Sequence, residues 1–273
     1  MALKFTPYPS PNWDQRNGAI NLIVLHYTGM QDEAVALARL CDPAPVAGRY
    51  PGPWQDALID PATPLGRVSA HYVVGAGGTI YQLVEEGARA WHAGVSTWEG
   101  RSDTNDRSIG IEIANGGHDF GLPEFPDAQI AAVIALVGDI LRRHSLGPDR
   151  VVGHSDVAPA RKLDPGEKFP WRQLAHAGYA LWPAGEGRGH GCLAPGDAGE
   201  EVAAAQAALA AFGYDVPDDG FYGGETSAAV AAFQRRFRPT EISGLIDGET
   251  AGFLVDLVAQ KQRLTLLPSQ QTE

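Results

Sequence analysis

His26, Glu112, His154 and Asp164, with Lys162 close to the last, stand where a hydrophobic core has no need of polar side chains. Two imidazoles and a carboxylate make a mixed nitrogen and oxygen set that suits zinc and leaves one coordination position for water. His26 closes the apolar run Asn21–His26, and His154 follows Val151-Val152-Gly153. Both therefore end strands, and strand ends from distant segments converge on one rim. Asp164 precedes Pro165-Gly166. A residue before proline is held extended and Pro-Gly turns the chain, so this carboxylate is presented on a stiff loop. Each residue also has a plainer reading. A strand-end histidine packs and hydrogen-bonds, a glutamate on the polar face of a strand is solvated, Asp-Pro-Gly is a turn, and Lys162 is a surface lysine. Spacing alone does not choose between these readings. His71 and His92 are equally ambiguous, whereas His118, His144, His176 and His190 sit in loop-like or helix-end settings and read as structural or solvent-facing.

The elements that must position these residues are legible as periodicities. Asn21–His26 is a continuous apolar run, the mark of a strand buried on both faces. Ala70–Val74 and Thr79–Val84 flank Gly75-Ala76-Gly77-Gly78 and predict a hairpin. In Ser108–Ile113, Ile109, Ile111 and Ile113 share one strand face and Glu112 points to the other. Asp127–His144 carries Ile130, Val133, Ile134, Val137, Ile140 and Leu141 at helical spacing, with Asp127 expected to cap its start and Arg142, Arg143 and His144 suiting its negative end. Strands mixed with helices predict an α/β domain with a mixed central β-sheet flanked by helices over residues 1–181.

Composition changes at residue 182. Residues 182–197 are rich in Gly and Pro and read as a linker. Residues 198–262 carry helical stripes: Val202, Ala205, Leu209 and Phe212, then Val230, Phe233 and Phe237, then Phe253, Leu254, Leu257 and Val258. They predict a small all-α three-helix domain, followed by a polar tail over 263–273. Gly-Glu-Thr recurs at 224–226 and 248–250, with Thr226 and Thr250 placed as N-caps. Few buried contacts are expected to cross the linker, so 1–181 is expected to fold and act alone.

The balance of 33 acidic and 21 basic residues gives a formal charge of −12, which argues against non-specific binding to nucleic acid. Cys41 and Cys192 form no CxxC pair and suggest reduced thiols. No apolar run approaches the roughly 20 residues of a membrane span. The segment Met1 to Arg16 lacks a secretion-signal pattern. A cytoplasmic monomer is expected, or a periplasmic or cell-envelope protein if a signal has been removed.

The motifs Val24-Leu25-His26-Tyr27-Thr28-Gly29, Ser69-Ala70-His71-Tyr72, Ala90-Trp91-His92-Ala93-Gly94, Ser108-Ile109-Gly110-Ile111-Glu112, Gly153-His154-Ser155-Asp156 and Arg161-Lys162-Leu163-Asp164-Pro165-Gly166 follow one another in this order. Residues 8–180 thereby resemble the zinc-dependent N-acetylmuramoyl-L-alanine amidases of the amidase type 2 family. The resemblance implies one zinc per chain on His26, His154 and Asp164, with Glu112 and Lys162 as catalytic groups. Residues 198–262 resemble the small peptidoglycan-binding domain, through Asp219-Gly220-Phe221-Tyr222-Gly223 and Asp247-Gly248 among other pieces.

On this resemblance, Glu112 moves the proton of an activated water to the leaving nitrogen, and Lys162 faces the oxyanion. The bond cut joins N-acetylmuramic acid, in its ordinary or 1,6-anhydro form, to L-alanine in peptidoglycan or a muropeptide. Tyr27, His71, Trp91, His92 and Arg101 are the expected substrate contacts, while Arg101 and Arg107 read either as partners of stem-peptide carboxylates or, more simply, as residues of a solvated loop. Two other classes stand beside this one: a non-catalytic peptidoglycan-recognition protein, and a zinc peptidase acting within the stem peptide.

Overall fold

The computed structural model describes residues 3–50, 60–185, 187 and 191–266. His190 and the end of the polar tail, 267–273, lie outside the described residues. Eight strands are β1 (Phe5–Pro7), β2 (Trp13–Gln15), β3 (Leu22–Tyr27), β4 (Tyr72–Val74), β5 (Ile80–Gln82), β6 (Ala88–Ala90), β7 (Ser108–Ile113) and β8 (Val151–Gly153). The helices are α1 (Glu33–Cys41), α2 (Thr104–Arg107), α3 (Asp127–Arg143), α4 (His154–Val157), α5 (Trp171–His176), α6 (Glu200–Phe212), α7 (Gly224–Phe237) and α8 (Gly248–Leu266). None of the described helices is long and apolar enough to cross a membrane.

A six-stranded mixed sheet runs β1-β5-β4-β7-β3-β8. Strands β7, β3 and β8 are parallel, and only β4 and β5 pair antiparallel, as the hairpin around Gly75–Gly78 requires. One face of the sheet is made by Ile23, Leu25, Ile109, Ile111, Ile113 and Val151, and α3 lies over it with Ile130, Val133, Val137 and Ile140. Asp127 does not cap α3. Pro126 holds the cap position, and Asp127 is the first helical residue, where its charge still favours the helix dipole.

The other face is covered in two halves. Val73 meets Leu37 and Leu40 of α1. Leu22, Val24 and Val152 instead share a core with Val202, Leu209, Phe212, Phe233, Phe237, Leu254 and Leu257 of the three C-terminal helices, together with Trp98, Val157 and Leu181. The expectation that few buried contacts cross residues 182–197 is thus not met. A strand buried on both faces needs cover on both, and α6–α8 supply it for β3 and β8.

Within the helical module the repeated turn has a different basis from the one expected. Gln206 of α6 donates from Nε2 to the Phe221 carbonyl and Thr226 Oγ1, and its Oε1 accepts the Gly220 amide at 2.8 Å. Gln234 of α7 repeats this with the Leu245 carbonyl, Thr250 Oγ1 and the Gly244 amide. Thr226 and Thr250 are therefore buried in first helical turns rather than capping them. Gly223 precedes α7, and the Asp247 carboxylate accepts the Thr250 amide.

Glu86 ties the end of α3 to the sheet, accepting from Tyr72 at 2.8 Å, Arg143 at 2.8 Å and His144 at 2.7 Å. Burial opposes its ionisation, but these donors hold its carboxyl down to about 2 from 4.5. A depressed carboxyl contributes stability above its unfolded pKa and loses it as pH falls through the folded one. Glu86→Gln is expected to lose about 2–3 kcal/mol at pH 7, since one pKa unit is about 1.4 kcal/mol. In urea melts across pH, variant and parent should converge between 4.5 and about 2.

Candidate active site

The parallel registers place the site. His26 is the partner of Glu112 across β3 and β7, and Leu25 is the partner of Gly153 across β3 and β8. Glu112, His26 and His154 therefore form a row at the carboxyl ends of three adjacent parallel strands, the usual position for a site in such sheets. Asp164 joins the row from the loop after α4. The Ser155 amide donates to the Asp164 carbonyl at 2.8 Å, and Gly153 leaves room for Pro165, whose Cδ would lie 2.8 Å from a Cβ at that position.

His26 Nδ1 and His154 Nδ1 are 2.9 Å apart, and each is 3.0 Å from Asp164 Oδ2. Hydrogen bonds on the far sides of the rings fix where the protons are. His154 Nε2 meets the Ala93 carbonyl at 3.0 Å, which only accepts, so the neutral ring carries its proton there. Ser108 gives its hydroxyl proton to the Thr104 carbonyl, so its oxygen accepts from His92 Nε2 at 3.1 Å. His92 Nδ1 then accepts from His26 Nε2 at 3.0 Å. Burial pushes His92 well below the usual imidazole range and His26 down to about 4, with His154 adding to the shift at His26.

Both Nδ1 atoms are consequently bare and face an acceptor-only carboxylate oxygen. Acceptors converging on one point are satisfied by a cation, and this is the group of residues among those described that could hold a metal ion. Glu112 adds a carboxylate whose buried Oε2 has no hydrogen-bond partner. Burial and then Asp164 push it well above the usual range, against the pull of Lys162. A cation at the three acceptors would draw it back down.

The profile of the N-acetylmuramoyl-L-alanine amidase family matches residues 16–167, more than half of the chain. The chain belongs to this family. A peptidoglycan binding domain profile matches residues 198–254 of the same amidase. The N-acetylmuramoyl-L-alanine amidase AmiD of Escherichia coli is 37% identical over 248 residues, covering 85% of this chain and 79% of that protein. The 1,6-anhydro-N-acetylmuramyl-L-alanine amidase AmpD of Citrobacter freundii is 37% identical over 179 residues, 61% of this chain and 86% of that one. Among solved structures, the complex of E. coli AmiD with anhydro-N-acetylmuramic acid-L-Ala-D-gamma-Glu-L-Lys superposes with a TM-score of 0.69 at 36% identity, covering 88% and 89% of the two chains. AmpDh3 of Pseudomonas aeruginosa with anhydromuramic pentapeptide gives 0.66 at 30%, covering 89% and 92%.

The cleft of the amidase has a volume of about 400 Å³. His26, Tyr27, His92, Glu112, His154, Lys162 and Asp164 line it. The expected substrate contacts divide. Tyr27 stands on the wall with its hydroxyl 2.9 Å from His118 Nδ1. His118, read as structural or solvent-facing from its loop setting, is on the wall too, braced by Glu167 at 3.0 Å. His92 reaches the cleft, but both its ring nitrogens are committed to His26 and Ser108.

His71, Trp91 and Arg101 are not on the wall. His71 is fully buried between Arg16 and the Gly110 amide, because strand β7 packs directly over it. Trp91 is half-buried with the Arg67 guanidinium 4.9 Å from its ring centre. Arg101 bonds Asp103 on the surface, and Arg107 is buried against the Trp98 carbonyl. Arg161 is a wall residue that sequence reading passed over. Its guanidinium donates to the same Ala93 carbonyl as His154 and to that of Val95. Its place beside Lys162 in the Arg161–Gly166 motif was the available signal.

Gly110 makes the ring chain possible, since a Cβ there would lie 2.4 Å from His92 Cγ. Gly110→Ala is expected to displace His92, leave His26 Nε2 without its partner and weaken metal binding by about tenfold or more. Chelator competition on the folded variant measures it.

Proposed function

We propose that this amidase cleaves the bond between N-acetylmuramic acid and L-alanine with one zinc ion held by His26, His154 and Asp164, and that its substrates include 1,6-anhydro muropeptides. The observation that carries the reading is the convergence of His26 Nδ1, His154 Nδ1 and Asp164 Oδ2, all bare acceptors, beside the unpartnered Glu112 carboxylate. His26, His154 and Asp164 would hold the zinc, which when bound would polarise the scissile carbonyl and acidify a water toward neutral pH. Glu112 takes the proton of the attacking water and passes it to the leaving nitrogen. No competing hydrogen bond has to be broken, because Glu112 Oε2 has no partner within the described chain. Lys162 faces the developing charge on the carbonyl oxygen from the cleft wall. Tyr27 and His118 offer a polar wall to the sugar or peptide. The anhydro-muropeptide complexes of AmiD and AmpDh3 support the substrate class, and the peptidoglycan binding domain profile supports polymer as a second substrate.

Digestion of a defined anhydro-muropeptide, with the products read by mass, tests this. The expected products are the sugar and the whole stem peptide with a free L-alanine amino group. L-alanine retained on the sugar would mean a cut within the peptide. No product from a zinc-loaded chain would favour a recognition protein. Elemental analysis should give one zinc per chain, and full activity after thorough chelation would remove the metal from the reading.

A further inference from the structure

The segments bearing two of the proposed ligands are each met by an arginine from the C-terminal module. Arg235 and Arg236 are consecutive residues in the last turn of α7. Arg236 is 3% exposed, and its Nη1 donates to Asp156 Oδ2 at 2.8 Å and its Nη2 to the Val151 carbonyl at 2.9 Å. Its guanidinium carbon lies 4.1 Å from the Trp171 ring centre. Asp156 is 1% exposed and sits two residues beyond His154. The same Oδ2 accepts the Gly153 amide at 2.8 Å, and Oδ1 accepts the Tyr214 hydroxyl at 2.6 Å. Tyr214 follows α6, so two of the three residues donating to Asp156 belong to the module. Together they fasten the junction of β8 and α4, from which His154 projects.

Arg235 reaches the other segment. Its Nε is 3.7 Å from Glu167 Oε2, three residues past Asp164, and Glu167 in turn braces His118 on the cleft wall. The Ser155 amide to Asp164 carbonyl bond joins the two fastened segments.

A basic pair in a last helical turn needs only solvent and the helix dipole to be content. Here Arg236 is withdrawn from water with its carboxylate. Such a buried pair adds little net stability over apolar packing and is best understood as selecting one arrangement of the groups it joins. A module that only tethers the enzyme to its substrate requires no such contact. We propose that Arg236 and Tyr214 are positioning residues of the amidase reaction: through Asp156 they hold His154 in ligating geometry, so the module governs metal affinity and turnover even on substrates too small to touch it. The inference rests on the zinc reading above.

The test uses the full-length chain, with zinc affinity measured by chelator competition and kinetics on a soluble muropeptide. Arg236→Met is expected to weaken zinc by about tenfold or more and to lower kcat with KM unchanged. Arg236→Lys, which restores the charge, should recover part of both. Tyr214→Phe, which removes one oxygen, should weaken zinc to a smaller extent. Leu257→Ala opens a cavity in the core that the module shares with β3 and β8, without touching Asp156, and should lower Tm while leaving zinc affinity alone. Parental zinc affinity in both Arg236→Met and Tyr214→Phe would overturn the inference. So would an equal loss in Leu257→Ala, which would mean that general loosening of the module suffices. If Arg236→Met does not fold, Tyr214→Phe decides alone. A parent chain that takes up no zinc overturns the functional reading as well, whereas a zinc-loaded parent with unaffected variants overturns only this one.

Discussion

Glu112→Gln is expected to keep the fold and the zinc and to lose about 10²–10⁴-fold in kcat, the usual contribution of a positioned general base. The substitution is isosteric, and Oε2 has no partner to lose. A neutral amide is also cheaper to bury than a carboxylate, so Tm should hold or rise. Its cost should therefore appear in turnover and not in stability or zinc content. Loss of zinc from the variant would make Glu112 a ligand, and an unchanged kcat would remove it from the chemistry. Lys162→Ala should likewise slow turnover with zinc still bound.

Residues 1–181 expressed alone are expected to lose cooperative unfolding, and with it activity on soluble muropeptides as well as on cell-wall polymer. Removing the module uncovers Leu22, Val24, Trp98, Val152, Val157 and Leu181, each no more than 5% exposed in the full chain. At roughly 1.5–3 kcal/mol per large buried apolar side chain, the loss is about 10 kcal/mol. That is comparable to the whole stability of an ordinary domain, about 5–15 kcal/mol. The truncation also strips Asp156 of Arg236 and Tyr214. Thermal melts and kinetics on both substrates measure the outcome. A truncated chain that melts cooperatively, turns over soluble fragments at the parental rate and falls behind only on polymer would restore the tethering role, in which the module merely raises local concentration.

The three converging acceptors were legible because each is marked locally. His26 and His154 end apolar runs, and Asp164 sits in front of Pro-Gly, so their settings announce themselves within a few residues. The mixed sheet and α3 followed from periodicity for the same reason. What the sequence hid depends on contacts between distant segments. The role of His92 is set by Gly110 and Ser108 on β7, which no spacing around His92 reveals. Arg235 and Arg236 carry no local mark of their contacts, because the carboxylates they meet lie far back in the chain. The run Leu22–Leu25 did state that both faces of β3 are buried, but not what covers the second. The Gly and Pro content of 182–197 suggested independence, whereas such residues equally let a chain turn back and dock.

The paired glutamine braces set how the module breathes. Backbone amides in turns normally exchange with solvent deuterium long before those inside helices, because nothing shields them. Gly220 and Gly244 donate instead to Gln206 Oε1 and Gln234 Oε1, and each glutamine belongs to the helix preceding its turn. Neither turn can open unless that helix also shifts. The helix after each turn starts from a threonine held by the same glutamine. Opening is thereby expected to pass from α6 to α7 to α8, with the Gly220 and Gly244 amides exchanging as slowly as the helices that hold them.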